Sequence, residues 1–124
     1  MVTSPLVAIV EDDDVLRTAI DELLRSCGYR TSGHDSAESF LASDVMGNAG
    51  CVITDIQMSG MDGVDLKRRI DRDAPGTPVI IVTARNEAHV LGRAEACDPY
   101  CLLRKPFDPD ALVECVEAAL GAVA

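Results

Sequence analysis

Several polar side chains in this sequence stand just past short apolar runs, and their types suit a single kind of chemistry. Glu11, Asp12, Asp13 and Asp14 follow Leu6-Val7-Ala8-Ile9-Val10. Asp55 follows Cys51-Val52-Ile53-Thr54, Thr83 follows Pro78-Val79-Ile80-Ile81-Val82, and Lys105 comes shortly after Tyr100 to Leu103. Taken one at a time these residues are ordinary: an Asp after a strand commonly caps a helix, and a Lys before Pro commonly sits in a solvated loop. Gathered at one place, they would suit phosphoryl transfer. Clustered carboxylates repel one another and need a divalent cation. Mg²⁺ prefers oxygen ligands, takes one or two protein carboxylates, and keeps positions open for water and phosphate oxygens. Lys105 offers a compact positive charge for a phosphoryl group, and Thr83 a hydroxyl donor. Such transfer needs mainly positioning and charge neutralisation. A carboxylate at the centre of the set could act as nucleophile and form an acyl phosphate.

The elements that must bring these residues together alternate along the chain. Leu6 to Val10 is a branched apolar run suited to a strand buried on both faces. Asp13 or Asp14 can cap a helix with Leu16, Ile20, Leu23, Leu24 and Cys27 on one face, ended by Gly28. Tyr29 to His34 is a weaker strand, and Asp35 with Glu38 makes a capping-box pair before Phe40 and Leu41. The third strand, Cys51 to Thr54, stops at Asp55. The loop Met58 to Gly63 then enters a helix with Leu66 and Ile70, and Pro75-Gly76 turns the chain into the fourth strand. Residues from about Asn86 to Ala96 are expected to be helical, with Gly92 weakening the pattern. Tyr100 to Leu103 is a fifth strand. Asp108 caps a last helix, with Pro109 in its first turn and Leu112, Val116, Ala119 and Leu120 facing inward. Five strand–helix units predict a parallel sheet covered by helices on both faces, with right-handed crossovers. In such sheets the carboxyl edge is where ligands bind, so residues that end the strands share one region.

Composition narrows the field. A chain of 124 residues with 48% hydrophobic content can bury roughly two-thirds of its unfolded surface without metal or disulfide staples. No apolar run approaches the ~18 residues of a membrane span, and the first residues lack a basic leader, so the expected location is the cytoplasm, with no membrane partner. The net charge is −10, from 21 acidic and 11 basic residues. The longest basic cluster is Lys67-Arg68-Arg69, expected to solvate a helix beside Asp65 and Asp71, which argues against direct nucleic-acid binding. Five cysteines, an odd number, point to reduced thiols. Cys97 and Cys101 are near enough in sequence to suggest a redox or zinc site, but no second pair or nearby His completes a zinc set, and the cysteines are expected to be small buried side chains with inert thiols.

Four segments carry a family resemblance: VEDD at 10–13 with Arg17 following, VITDIQMSGMDG at 52–63, VIIVTA at 79–84, and RKPF at 104–107. With these motifs the sequence resembles the CheY-like receiver domains of two-component response regulators, in particular those of FixJ-type regulators, from Val7 to about Leu120. The resemblance implies a doubly wound, flavodoxin-like α/β fold with strand order 2-1-3-4-5, filling residues 1–124 as one receiver domain without an output domain. It implies that Asp55 accepts a phosphoryl group from the phosphohistidine of a histidine kinase or a histidine phosphotransfer protein. Mg²⁺ or Mn²⁺ would be held by Asp12, Asp55 and the backbone carbonyl of Gln57, with Glu11 acting mostly through metal-bound water. Thr83 would bond a phosphate oxygen and reorient on phosphorylation, and Lys105 would pair with the phosphate. The Lys105–Pro106 bond would be cis, and Gln57 and Arg85 would tune the lifetime of the phosphate. Asp13 and Asp14 match no ligand position, so capping is their expected role. Partner binding, including a homodimer, would use the face formed by the fourth helix, fifth strand and fifth helix, with Leu102 at the switch position. The implied activity is a signalling module that catalyses only its own phosphorylation and dephosphorylation.

The sequence departs from the family pattern at three places. Ser59 stands where a Pro is usual, Asp98-Pro99 replaces a Gly-Ala pair, and Leu102 replaces an aromatic residue. Leu102 cannot move as a ring, Gly92 weakens the fourth helix, and Pro99 disfavours helix just before it. These features predict a fourth helix that is short or mobile at rest and is ordered by activation. Two other classes fit less well. A haloacid-type phosphatase has DxDx(T/V) after its first strand, where this chain has EDDD. A flavodoxin-like electron carrier needs a Ser/Thr-rich phosphate loop and aromatic partners, where this chain has an acidic loop, two Phe, two Tyr and no Trp.

Overall fold

A computed structural model of the chain describes residues 5–84 and 88–122. Five strands, β1 (Leu6–Val10), β2 (Arg30–His34), β3 (Ala49–Asp55), β4 (Val79–Thr83) and β5 (Cys101–Arg104), alternate with five helices. These are α1 (Asp14–Ser26), α2 (Ala37–Ala42), α3 (Gly63–Asp73), α4 (Ala88–Ala96) and α5 (Pro109–Ala122). The strands form one parallel sheet in the order β2-β1-β3-β4-β5, the topology the sequence predicts.

The apolar runs are continuous because both faces of the sheet are covered. Ala8, Val10, Val52, Val79 and Ile81 point to one side and pack with Phe40 of α2, Leu66 and Ile70 of α3, and Val90 and Ala94 of α4. Val7, Ile9, Ile53, Ile80 and Val82 point to the other and meet Ile20 and Leu24 of α1 and Leu112, Val116 and Ala119 of α5. The two-residue period of the strands thus divides each run between two cores. Burying each large aliphatic or aromatic side chain this way stabilises the fold by about 1.5–3 kcal/mol.

Cap chemistry fixes where the helices begin. Asp13, not Asp14, caps α1, its Oδ1 accepting from Val15 N at 3.0 Å and Leu16 N at 3.3 Å. Asp14 instead bonds Arg17. Gly28 follows α1 with φ of +93°, a conformation glycine reaches without a Cβ clash. The expected Asp35/Glu38 capping box does not form. Ser36 takes extended dihedrals and its Oγ accepts from Ser39 N at 3.0 Å, so the cap lies one residue later and Glu38 is free to turn elsewhere. A 3₁₀ turn at Met46–Asn48 links α2 to β3. Asp108 precedes α5 and its Oδ1 accepts from Asp110 N at 2.9 Å.

One further expectation changes, and the alternative of a Cys97–Cys101 redox pair is removed. Lys67 is not solvated: it is buried along α3, its ammonium on Asp71 at 2.5 Å, because a long aliphatic stem can be covered while its charge finds a partner. Cys97 and Cys101 cannot form a redox pair, since Cys97 packs with the α2–α4 core and Cys101 with the α1–α5 core on the opposite face. All five cysteines are free thiols. Burial pushes Cys51 and Cys101 up to about 12, and a Cys115 bond adds to the effect at Cys101. Helix α4 ends at Ala96, and Asp98, the residue before Pro99, has φ of +54°. It holds a left-handed position where the family pattern has Gly, as Asp can more readily than most residues. Asn86, the expected helix start, lies outside the described residues. Among the described residues no helix is long and apolar enough to cross a membrane.

The start of α3 sets the strand end that matters most. Gly63 N donates to Ile56 O at 2.9 Å, and a Cβ at Gly63 would lie 2.1 Å from the backbone oxygen of Asp55 and 3.0 Å from Ile56 Cα. Backbone on backbone cannot yield as a flexible side chain can. Gly63→Ala is expected to lose about 2–3 kcal/mol of stability in urea unfolding. A loss below about 0.5 kcal/mol, within the range of a neutral surface change, would show that the contact is not a constraint.

Candidate functional site

Glu11 directly follows β1, and its N–H donates to His34 O at 3.0 Å, extending the β1–β2 ladder by one bond. Asp55 ends β3 in register with Val82. Thr83 ends β4 in register with Arg104, and Lys105 N donates to Thr83 O at 2.8 Å. Each residue is therefore placed by sheet hydrogen bonds and not by a loop alone. The Lys105–Pro106 peptide is cis, as the resemblance implies.

These residues meet at the carboxyl edge. The Lys105 ammonium lies 2.8 Å from Glu11 Oε1 and 3.0 Å from Asp55 Oδ2. Glu11, Asp12 and Asp55 each offer a carboxylate oxygen, all within 4.8 Å of one another. Glu11 and Thr83 are almost fully buried and Asp55 is nearly so, whereas Asp12 is exposed. The two oxygens of Asp55 have different surroundings. Oδ1 accepts from Ile56 N at 2.7 Å and from Gln57 N at 3.4 Å, while Oδ2 faces Lys105. The carboxylate is thereby held in one rotation. Glu11 Oε2 in turn accepts from Asp13 N at 3.2 Å, and Arg17 donates to the Glu11 carbonyl at 2.8 Å.

Burial raises the Glu11 carboxyl above its usual range, and the Asp55 charge adds to this. The Lys105 bond opposes the rise without cancelling it. At Lys105 burial works against the charge, but the bonds to Glu11 and Asp55 outweigh it and the net shift is upward. Both shifts describe an edge with more negative than positive charge. Such a donor set of carboxylates, one of them exposed, fits a hard divalent cation.

The remaining expected residues are partly gathered in. Gln57 follows the site with an exposed side chain. Leu102 is in register with Ile81 and packs, half-buried, against the core that includes Val90 and Ala94 of α4. Arg85 lies outside the described residues. Residues whose part the sequence did not reveal are Arg17, Gly63 and Glu38. Arg17 was visible as a family position, but its contact with Glu11 depends on the turn of the acidic loop.

This fold is that of a known class. The chain belongs to the response regulator receiver domain family, whose model matches residues 7–117. It is 32% identical over 115 residues to the transcriptional regulatory protein FixJ of Azorhizobium caulinodans, covering 93% of this chain and 54% of that one. It is 36% identical over 119 residues to the C4-dicarboxylate transport transcriptional regulatory protein DctD of Rhizobium meliloti, covering 96% of this chain and 26% of that one. The chain thus spans about half the length of the first relative and about a quarter of the second. Its fold matches a CheY-like receiver domain protein of Methanospirillum hungatei with a TM-score of 0.88, at 22% identity and covering 98% and 97% of the two chains.

The raised Glu11 carboxyl has a stability consequence. An acid whose folded value exceeds its unfolded value is penalised once it ionises, so the penalty is absent below about pH 4.5 and complete above the raised folded value. Glu11→Gln, which keeps the shape and drops the charge, is expected to raise the melting temperature of the metal-free protein at pH 7. The gain should shrink as the pH falls toward 4.5. A variant that melts lower than the parent at pH 7 would contradict the charge-crowding account.

Proposed function

We propose that this chain is the phosphoacceptor module of a two-component phosphorelay, taking a phosphoryl group on Asp55. The observation that carries the reading is the Lys105 ammonium poised on Asp55 Oδ2 and Glu11 Oε1, beside a cluster of three carboxylates. In the transfer, an Asp55 oxygen attacks phosphorus, the bond from phosphorus to the donor imidazole nitrogen breaks, and an acyl phosphate forms. Asp55 is already held by Ile56 N, so the nucleophile pays little orientational cost. Lys105 stays charged and neutralises the incoming phosphoryl oxygens. Thr83, at the end of the neighbouring strand, supplies a hydroxyl for one of them. Asp12, Asp55 and the Gln57 backbone carbonyl would hold Mg²⁺ or Mn²⁺, with Glu11 assisting through water. The cation supplies charge neutralisation between the carboxylates and the phosphoryl group.

The donor would be a histidine kinase or a histidine phosphotransfer protein. An apolar groove lined by Val15, Leu16, Ile20, Lys105, Pro106 and Phe107 runs into the site from between α1 and the start of α5, and Val15 is 80% exposed there. That groove suits a helix presenting a phosphohistidine. Output would use the α4–β5–α5 face, in a homodimer or with another partner, in the cytoplasm. Gln57 and Arg85 would set how long the acyl phosphate survives.

Acetyl phosphate with Mg²⁺ is expected to add one phosphoryl group, read as a single mass increment. Asp55→Asn should lose it, and EDTA should suppress it. An increment that persists in Asp55→Asn, or forms equally with EDTA present, would remove the assignment.

A further inference from the structure

The loop after Asp55 carries Gln57 and leads to the cap of α3. Its start is held by Asp55 Oδ1, and its end by Gly63 N on Ile56 O and by Asp62 Oδ1 accepting from Asp65 N at 2.9 Å. The middle, Met58 to Met61, has less to stiffen it. Ser59 stands where the family pattern has Pro, so the ring that would fix φ is missing. Gly60 has φ of +82°. Across this stretch reaches a side chain from another element: Glu38 of α2, whose Oε2 accepts from Met61 N at 2.8 Å.

The steric fit around that contact is close. A Cβ at Gly60 would lie 2.5 Å from Glu38 Oε2 and 3.1 Å from Glu38 Cδ. The carboxylate thus occupies the space a side chain at position 60 would take, and the glycine and the carboxylate interlock. The Met61 amide, and then its own amide, hold the Glu38 carboxyl below its usual range, as expected of a carboxylate that accepts backbone N–H bonds.

We propose that Glu38 is a positioning residue for the phosphoacceptor loop, its carboxylate on Met61 N supplying a constraint that Ser59 cannot. This rests on the reading of Asp55 and its neighbours as a metal-assisted phosphoacceptor site. Glu38 touches no reacting atom. It acts through the loop backbone, and thereby on the Gln57 carbonyl that would face the cation. Losing it frees Met58–Met61 and lets that carbonyl drift, while the two cores stay intact.

The test uses the full chain and the variants Glu38→Ala and Glu38→Gln. Gln keeps an oxygen that can accept from Met61 N, so it should largely rescue what Ala loses. Three readouts are compared: amide hydrogen exchange across 57–62, Mn²⁺ affinity from the free-ion electron paramagnetic resonance signal, and the rate of mass increase with acetyl phosphate. Glu38→Ala is expected to speed exchange at Met61 and to weaken Mn²⁺ binding about tenfold, the size seen when an outer partner of a ligand is removed. Its thermal midpoint should stay within about 2 °C of the parent, since an exposed side chain contributes little to global stability. Unchanged Met61 exchange overturns the proposal. So does faster exchange with unaltered Mn²⁺ affinity, which would make the bond merely structural. A parent protein that takes up neither Mn²⁺ nor a phosphoryl group overturns the site reading and this inference with it. Normal parent behaviour matched by Glu38→Ala overturns this inference alone.

Discussion

The ammonium of Lys105 between Glu11 and Asp55 is the contact on which the carboxyl edge depends. Glu11 is nearly sealed from water, and two carboxylates so close repel one another unless a positive charge lies between them. The partners lie 94 and 50 residues from Lys105 along the chain, so the contact exists only if three strands end at the right height. Side chains alternate from face to face along a strand, and a slip of one residue in β5 would turn Lys105 away from the edge. The bond from Lys105 N to Thr83 O is what forbids that slip.

Around this contact the chain uses backbone donors wherever a side chain must not move. Asp55 Oδ1 is taken by Ile56 N, leaving Oδ2 to Lys105. Glu11 has its two oxygens divided between Lys105 and Asp13 N. These bonds fix rotamers that would otherwise be free, and under the proposed function they spare the ordering cost at the moment of transfer. They also explain why so polar an edge tolerates burial: among the described residues no buried side-chain nitrogen or oxygen lacks a partner. The exposed member, Asp12, is the one whose carboxylate is open to water and to an ion.

Much of this was legible in the sequence because strand ends in a parallel sheet are also site positions. Val10, Thr54, Val82 and Leu103 mark where the strand runs stop, and Glu11, Asp55 and Thr83 come next in the chain, with Lys105 one residue further on, after Arg104. The order of the strands came from family resemblance, since alternation alone does not say which strand is central. What could not be read were contacts that depend on how two separate elements meet. Gly63 read as the last residue of a loop, and only the approach of Asp55's carbonyl shows why a Cβ is excluded. Glu38 looked like half of a capping box with Asp35, and the actual cap, Ser36, differs by one residue. Lys67 read as solvent-facing because its neighbours Arg68 and Arg69 are, yet the helix turns it inward.

Helix α4 shows the same dependence on distant contacts, with less to hold it. Of its nine residues Val90 and Ala94 are buried, and Gly92 lowers its intrinsic preference for helix. Its tie to the site is Arg93, which meets Asp62 Oδ2 at 3.1 Å while Asp62 Oδ1 caps α3. One carboxylate thus joins the start of α3 to α4 at the end of the loop that follows Asp55. The Arg93 side chain is 44% exposed and that of Asp62 23%, and pairs so placed are worth about 0–1 kcal/mol. That is too little to lock the helix, and it is comparable to the 1.4 kcal/mol that changes a population tenfold. Under the proposed function, a shift of the loop on phosphorylation would reach α4 through this carboxylate and through Leu102, which packs against the α4 core. No ring has to rotate for that to happen. Among the described residues the helix is held by two buried side chains and a weak ion pair, so under the proposed function a single added phosphoryl group would suffice to reposition it.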